Sequence, residues 1–211
     1  WVVQRGTRGP FADPSHLDPS LELRVAAVPG VMSARAFTTQ VLQRDHGSRQ
    51  LRFALVGLSF PDEHGEGLAI TQGQPLTQAH GQLIADASLG VAIGEVVHLG
   101  RDDYRVVGLT KQLLASGGDA VVFATVADTQ RILADDSSDA LVAERERRLT
   151  RLRDTDLGRA QPALEDLAVD PRWRFPAIAA PPIQAVRVRV APARVDEVRR
   201  SLGRWSDVTV W

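Results

Sequence analysis

Near the C-terminus apolar residues fall at every second position. Val186, Val188 and Val190 alternate with Arg187 and Arg189, the two-residue period of a strand with one wet face. The period then changes. Behind Pro192, Val195, Val198 and Leu202 recur at i, i+3 and i+7, and Gly203 stands where a helix C-cap glycine belongs, before Val208 and Val210 alternate again. This pattern predicts β-α-β. The N-terminal end repeats the logic. Trp1 to Arg5 reads as a strand, GTRGPFADPSHLDP as a loop, and Asp18 as the cap of a helix with Pro19 in its first turn. Leu21, Val25 and Val28 line one face of that helix, and Pro29-Gly30 ends it. Two β-favouring runs follow, Ala34 to Arg44 and Gln50 to Leu58, joined by the turn DHGSR as a hairpin. Together the two ends predict a split, ferredoxin-like α+β layer over 1–60 plus 180–211, with everything between them inserted.

Within the insertion, PDEHGEGLAITQGQPLTQAHGQ is loop-rich, and LIADASLG reads as a strand followed by an Asp86-capped turn of helix. Val96, Val97 and Leu99, then Tyr104, Val106 and Val107, surround a turn at Gly100 to Asp103 and predict a hairpin. After Ser116-Gly117-Gly118 come a strand, Val121 to Ala124, and an Asp128-capped helix through Leu133. Residues 61–136 thus read as a β-rich inserted subdomain. Residues 137–179 differ in composition. A charged helix is expected from Ser138 to about Leu157, its charge run a solvated face, and Asp170 to Pro182 is a Pro-rich return connection.

Composition narrows the function classes. The chain has 211 residues, 44% apolar and 24% charged, with a formal net charge of -1, which excludes the basic footprint of a nucleic-acid binder. Without cysteine there is no disulfide framework, thiol nucleophile or thiolate metal site. No run approaches the ~18 apolar residues that a membrane span requires. The chain opens on Trp1, and both its ends read as apolar alternating segments, WVVQR and DVTVW. The expectation is a domain excised from between two membrane spans.

Chemistry-bearing patterns are missing. His16, His46, His64, His80 and His98 have no metal-ligand spacing, and Asp62-Glu63-His64 reads as a solvated loop. Asp45-His46 falls at a hairpin tip, where turn propensity accounts for it. The best match to a nucleophile elbow, Asp86-Ala87-Ser88-Leu89-Gly90, has aspartate in place of the first glycine. Lys111, the one lysine, is followed by Gln112 and cannot complete a phosphate-binding loop. Asp102-Asp103 are adjacent on a hairpin and point in different directions. No catalytic, cofactor-binding or metal-ligating residue is assigned, and no enzyme activity is expected.

One set of motifs remains: Gly73 to Thr77 (G-x-x-L-T), Asp86 to Gly90 (D-x-S-L-G), Ile93 to Leu99 and Tyr104 to Gly108. This series resembles the extracytoplasmic core domain of FtsX/MacB-type ABC transporter permeases. WVVQRGTRGPF at the start and VFATVADTQRIL at 122–133 are similar to the DevC-like exporter branch. The resemblance implies a porter-like layer from the chain ends with an inserted sabre-like subdomain, displayed on the extracytoplasmic side of the plasma membrane. It also implies that the glycines of the motif are scaffold for a partner-binding surface. Implied partners are a separate ABC ATPase subunit, a periplasmic adaptor (membrane-fusion) protein and a second copy of the full permease, with no cofactor. The alternative is a regulatory domain that activates a cell-wall hydrolase. The charged helix is longer than the macrolide-exporter branch leads one to expect.

Overall fold

Alternating segments become strands only if each finds a neighbour. In a computed structural model describing residues 1–10, 15–136 and 182–211, they sort into two sheets. In chain order the elements are β1 (Val2–Gln4), α1 (Leu21–Ala26), β2 (Val31–Phe37), β3 (Thr39–His46), β4 (Arg49–Leu58), β5 (Ile70–Gly73), β6 (Gln82–Asp86), β7 (Val96–Leu99), β8 (Asp102–Thr110), β9 (Ala120–Thr125), α2 (Val126–Asp136), β10 (Ala185–Val190), α3 (Val195–Leu202) and β11 (Val208–Val210).

The first sheet runs β11-β1-β10-β2 with every neighbouring pair antiparallel. Hence β1 and β2 are parallel with β10 between them, and β10 and β11 are parallel with β1 between them. These are two interleaved split β-α-β units, the ferredoxin-like layer expected from the chain ends. Leu21 and Val25 of α1 and Val198 and Leu202 of α3 pack with Val2, Val186 and Val208 in one core cluster. Each such side chain contributes about 1.5–3 kcal/mol by leaving water. β1 and β11 are neighbours, so the chain ends meet: the Trp1 ammonium donates to the Trp211 carbonyl at 2.9 Å, and Trp211 N–H donates back to Trp1 at 2.9 Å.

Local details differ from expectation. Val195 is 38% exposed, because it opens α3, where Cβ bonds lean toward the helix N-terminus and away from the core. Gly203 has φ −63 rather than a left-handed conformation. Its missing side chain instead makes room for the Arg199 carbonyl, 3.0 Å from where a Cβ would lie. Ser20 occupies the N-cap of α1, and Asp18 leads into it by accepting from Ser20 N–H at 2.8 Å.

The larger difference falls within Ala34 to Arg44, which is two strands. β2 ends at Phe37, opposite Ala185 of β10, and β3 begins at Thr39, opposite Val56 of β4. Buried Thr38 marks the crossing, its carbonyl accepting from Gly57 N–H at 2.9 Å. The hairpin β3-β4 therefore forms as expected but belongs to the second sheet, so the N-terminal share of the ferredoxin-like layer stops near residue 37 instead of 60. Period-two alternation states that a segment is a strand and leaves its neighbour unspecified.

The second sheet runs β3-β4-β9-β6-β8-β5, with β7 also paired to β8. Pairs β4/β9 and β6/β8 are parallel, and the rest are antiparallel. The sheet curls until its ends approach: His46 of β3 bonds Glu95, just before β7, at 2.7 Å, and the Arg49 guanidinium donates to the Gly90 carbonyl at 3.0 Å. Phe53, Leu55, Leu83, Tyr104, Val106 and Val122 fill the inside. The residual cavity there, about 10 Å³, is at most the size of one water. The hairpin expected around Gly100 is β7-β8. The expected cap of α2 shifts by one turn: Thr125 Oγ1 accepts the Asp128 N–H at 3.1 Å, which frees the Asp128 carboxylate for another use. The charged helix near 138–157 and almost all of the return connection 170–182 lie outside the described residues.

Candidate functional site

The residues singled out in the sequence are distributed over the molecule, and most of them are engaged by other protein groups. Asp102 and Asp103 diverge as expected, Asp102 toward Arg131 at 3.5 Å and Asp103 toward His98 Nδ1 at 2.9 Å. His64 bonds the Pro61 carbonyl and Glu66, and His46 bonds Glu95. The His46 hydrogen bond, helped by Ala92 N–H, holds the Glu95 carboxyl below the usual carboxylate range. Among the described residues, no cluster of three or more His, Asp or Glu could hold a metal ion.

The motif D-x-S-L-G proves to be a fastening point. Asp86, fully buried at the end of β6, accepts four hydrogen bonds: Ser88 N–H at 3.0 Å, Ser88 Oγ at 2.7 Å, Thr110 Oγ1 at 3.2 Å and Leu113 N–H at 2.8 Å. Burial alone would push its carboxyl up. The four donors outweigh burial and hold it below the ordinary value. The Ser88 hydroxyl donates to an Asp86 carboxylate that three further donors already hold in place, so here it serves the turn.

Asp62-Glu63, expected to be a solvated pair, clasps the two sheets. Asp62 pairs with Arg35 at 2.7 Å and Glu63 pairs with Arg187. Arg35 and Arg187 are direct partners in the β2/β10 register, two like charges that would repel if left alone. The same junction carries a two-point bond between the Gln184 side chain and the backbone of Thr39, plus a hydrogen bond from Ser59 Oγ to the Ala36 carbonyl at 3.0 Å. Replacing Asp62 by Asn together with Glu63 by Gln should cost about 1–2 kcal/mol in dilute salt, shrinking near ~1 M salt as screening removes the repulsion. Urea unfolding at two ionic strengths measures this, and a salt-independent loss would sink the electrostatic account.

A grouping that sequence reasoning missed sits beside this clasp. His80 Nδ1 bonds Asp128 Oδ1 at 2.8 Å, and Gly81 N–H donates to Asp128 Oδ2 at 2.9 Å. Asp128 is buried, whereas the His80 side chain is 60% exposed. Lining the same cleft between the sheets are Glu22, Arg35 and Asp62. These residues are far apart in sequence and share no spacing pattern, so only folding reveals them as a set.

Comparison with known proteins agrees with this fold. The chain can be superposed on the extracellular domain of the noncanonic ABC-type transporter YknZ from Gram-positive bacteria, with a TM-score of 0.56 and 12% identity over 100% of this chain and 97% of that one. The fold is therefore that of this extracellular transporter domain. The periplasmic region of MacB from Actinobacillus actinomycetemcomitans gives a lower TM-score, 0.47, at 12% identity. In sequence, the chain is 29% identical over 134 residues to the uncharacterized ABC transporter permeases Rv0072 and MT0078 of Mycobacterium tuberculosis, from strains H37Rv and CDC 1551. That match spans 63% of this chain and 37% of the length of each relative. No family model matches.

Proposed function

We propose that this is the extracytoplasmic domain of an ABC exporter permease, which contacts an adaptor protein and passes on conformational change driven by a separate ATPase subunit. The observation that carries this reading is the antiparallel pairing of β1 with β11. Segments extending the chain at either end would leave the first sheet side by side, as two membrane helices of a permease would require. The permease likeness of the sequence relatives supports the same reading. Among the described residues no helix is long and apolar enough to cross a membrane, so the proposed anchoring depends on chain outside them.

Movement entering through β1 and β11 reaches the second sheet through the Thr38 crossing and the Asp62-Glu63 clasp. A two-body arrangement of this kind transmits force if its junction has two stable positions. The adaptor can bias that equilibrium only by binding one position better. Paired copies of the whole permease would present two such domains.

The test uses the absence of native cysteine. In a permease carrying this domain, Arg35→Cys and Asp62→Cys joined by a reducible bis-methanethiosulfonate cross-linker fix the second sheet to the first. The expected result is export reduced at least about tenfold, with nucleotide binding by the ATPase subunit unchanged and export restored on reduction of the bridge. Normal export by the bridged permease would show that the domain serves as a passive docking platform.

A further inference from the structure

Between the two sheets lies a cleft of about 330 Å³, at the lower end of the volumes that hold small organic ligands. Its walls come from both layers: Glu22 of α1 and Arg35 of β2 on one side, Leu58, Phe60, His80 and Val126 on the other.

The charges facing it are matched unevenly. Arg35 is already paired with Asp62. The N-terminus of α2 would draw an anion, but the buried Asp128 carboxylate in its first turn already fills that role. His80 Nδ1 is bonded to Asp128, which leaves Nε2 without a partner among the described residues. The Ser59 hydroxyl is donated to the Ala36 carbonyl. Glu22, half-buried in the first turn of α1, has no side-chain partner among the described residues. The acceptor left over is thus the Glu22 carboxylate, beside apolar surface from Leu58, Phe60 and Val126.

We propose that this cleft binds an organic ammonium ion carrying an apolar stem. The ammonium donates to Glu22, its positive charge answers the unmatched carboxylate, and the stem covers Phe60 and Val126. A guest in this place touches both sheets and favours whichever relative placement fits it best. The inference is independent of export, because it follows from the cleft alone.

The isotope-labelled 211-residue chain is titrated with phenethylammonium, with phenethyl alcohol and with hydrocinnamate, which keep the ring and make the head group cationic, neutral or anionic. Saturable shifts of the His80 ring signals and of the Glu22 and Val126 amides are expected for the ammonium alone. Glu22→Gln should weaken that binding at least about tenfold, the usual worth of a charge-assisted hydrogen bond, and Glu22→Lys should abolish it. Both variants should melt within a few degrees of the parent, since Glu22 has no partner to lose. An equal response to the neutral or anionic compound, undiminished binding by Glu22→Gln, or no saturable response to the ammonium overturns the proposal.

Discussion

Replacing Asp86 with alanine should destabilise the fold by about 3–5 kcal/mol, lowering the melting temperature by roughly 6–20 °C for a chain of this size. The magnitude follows from what remains behind. Four donors converge on this one buried carboxylate, from Ser88 N–H, Ser88 Oγ, Thr110 Oγ1 and Leu113 N–H, and alanine leaves all four without an acceptor. They tie the end of β6 to the end of β8 and to the loop beyond it, so disorder should spread from those strand ends. Ser88→Ala removes only one of the four and should cost about 1 kcal/mol.

Asp86 also makes a prediction about acid. Its carboxyl is held below the ordinary value in the folded chain, so the unfolded chain takes up the proton more readily. The stability it supplies is present in full above roughly pH 4, the unfolded value, and is lost as pH falls through the lower folded value. Glu95, also held low, adds in the same direction. Thermal melts between neutral and acid pH should show a steeper acid loss for the parent than for Asp86→Asn. Parallel curves would refute the role given to this carboxylate.

The second large effect is expected at Gly73. It has φ +79, and a Cβ there would lie 2.1 Å from the Val107 carbonyl oxygen and 2.8 Å from Ile93 Cδ1. This is the C-terminal end of β5, just past its bulge, where Gly73 pairs with Gly108 of β8. Alanine would meet the left-handed conformational penalty of about 1–2 kcal/mol and in addition displace backbone, for a total of roughly 3 kcal/mol or more. Gly94 is the control: φ is +83, but nothing lies within 4 Å of its missing Cβ, so Gly94→Ala should cost only about 1 kcal/mol. Urea midpoints compare the two directly. If they fall equally, close approach is not what Gly73 provides. Gly108, which lacks a positive φ, behaves as a packing glycine, since its Cβ would stand 2.6 Å from the Gln74 carbonyl oxygen.

Fold-level features were legible in the sequence where one short segment carries the whole signal. Alternation in Val186 to Val190 and Val208 to Val210 marked the C-terminal strands, and the spacing of Val198 and Leu202 marked the helix between them. Asp86-x-Ser88 announced its own turn, because an aspartate accepting from the N–H two residues on is a local bond. The lack of a nucleophile, metal or phosphate motif was equally readable, since each needs residue types at fixed spacing.

What tertiary structure alone decided are the pairings that join distant segments. Alternation from Ala34 to Arg44 could not disclose that Thr38 divides two sheets, because a strand's period is the same whichever neighbour it takes. Asp62 stays exposed, as a solvated loop would have it, but only the fold shows that it and Glu63 meet Arg35 and Arg187 from two neighbouring strands. His80 and Asp128, separated by 48 positions, meet only because β9 leads into α2 beside the start of β6, and Glu22 reaches the same cleft from the other sheet. Local periodicity and turn chemistry specify elements through contacts within a few residues. Charge partners and clefts depend on which elements pack together, and that is fixed by burial summed over the whole chain.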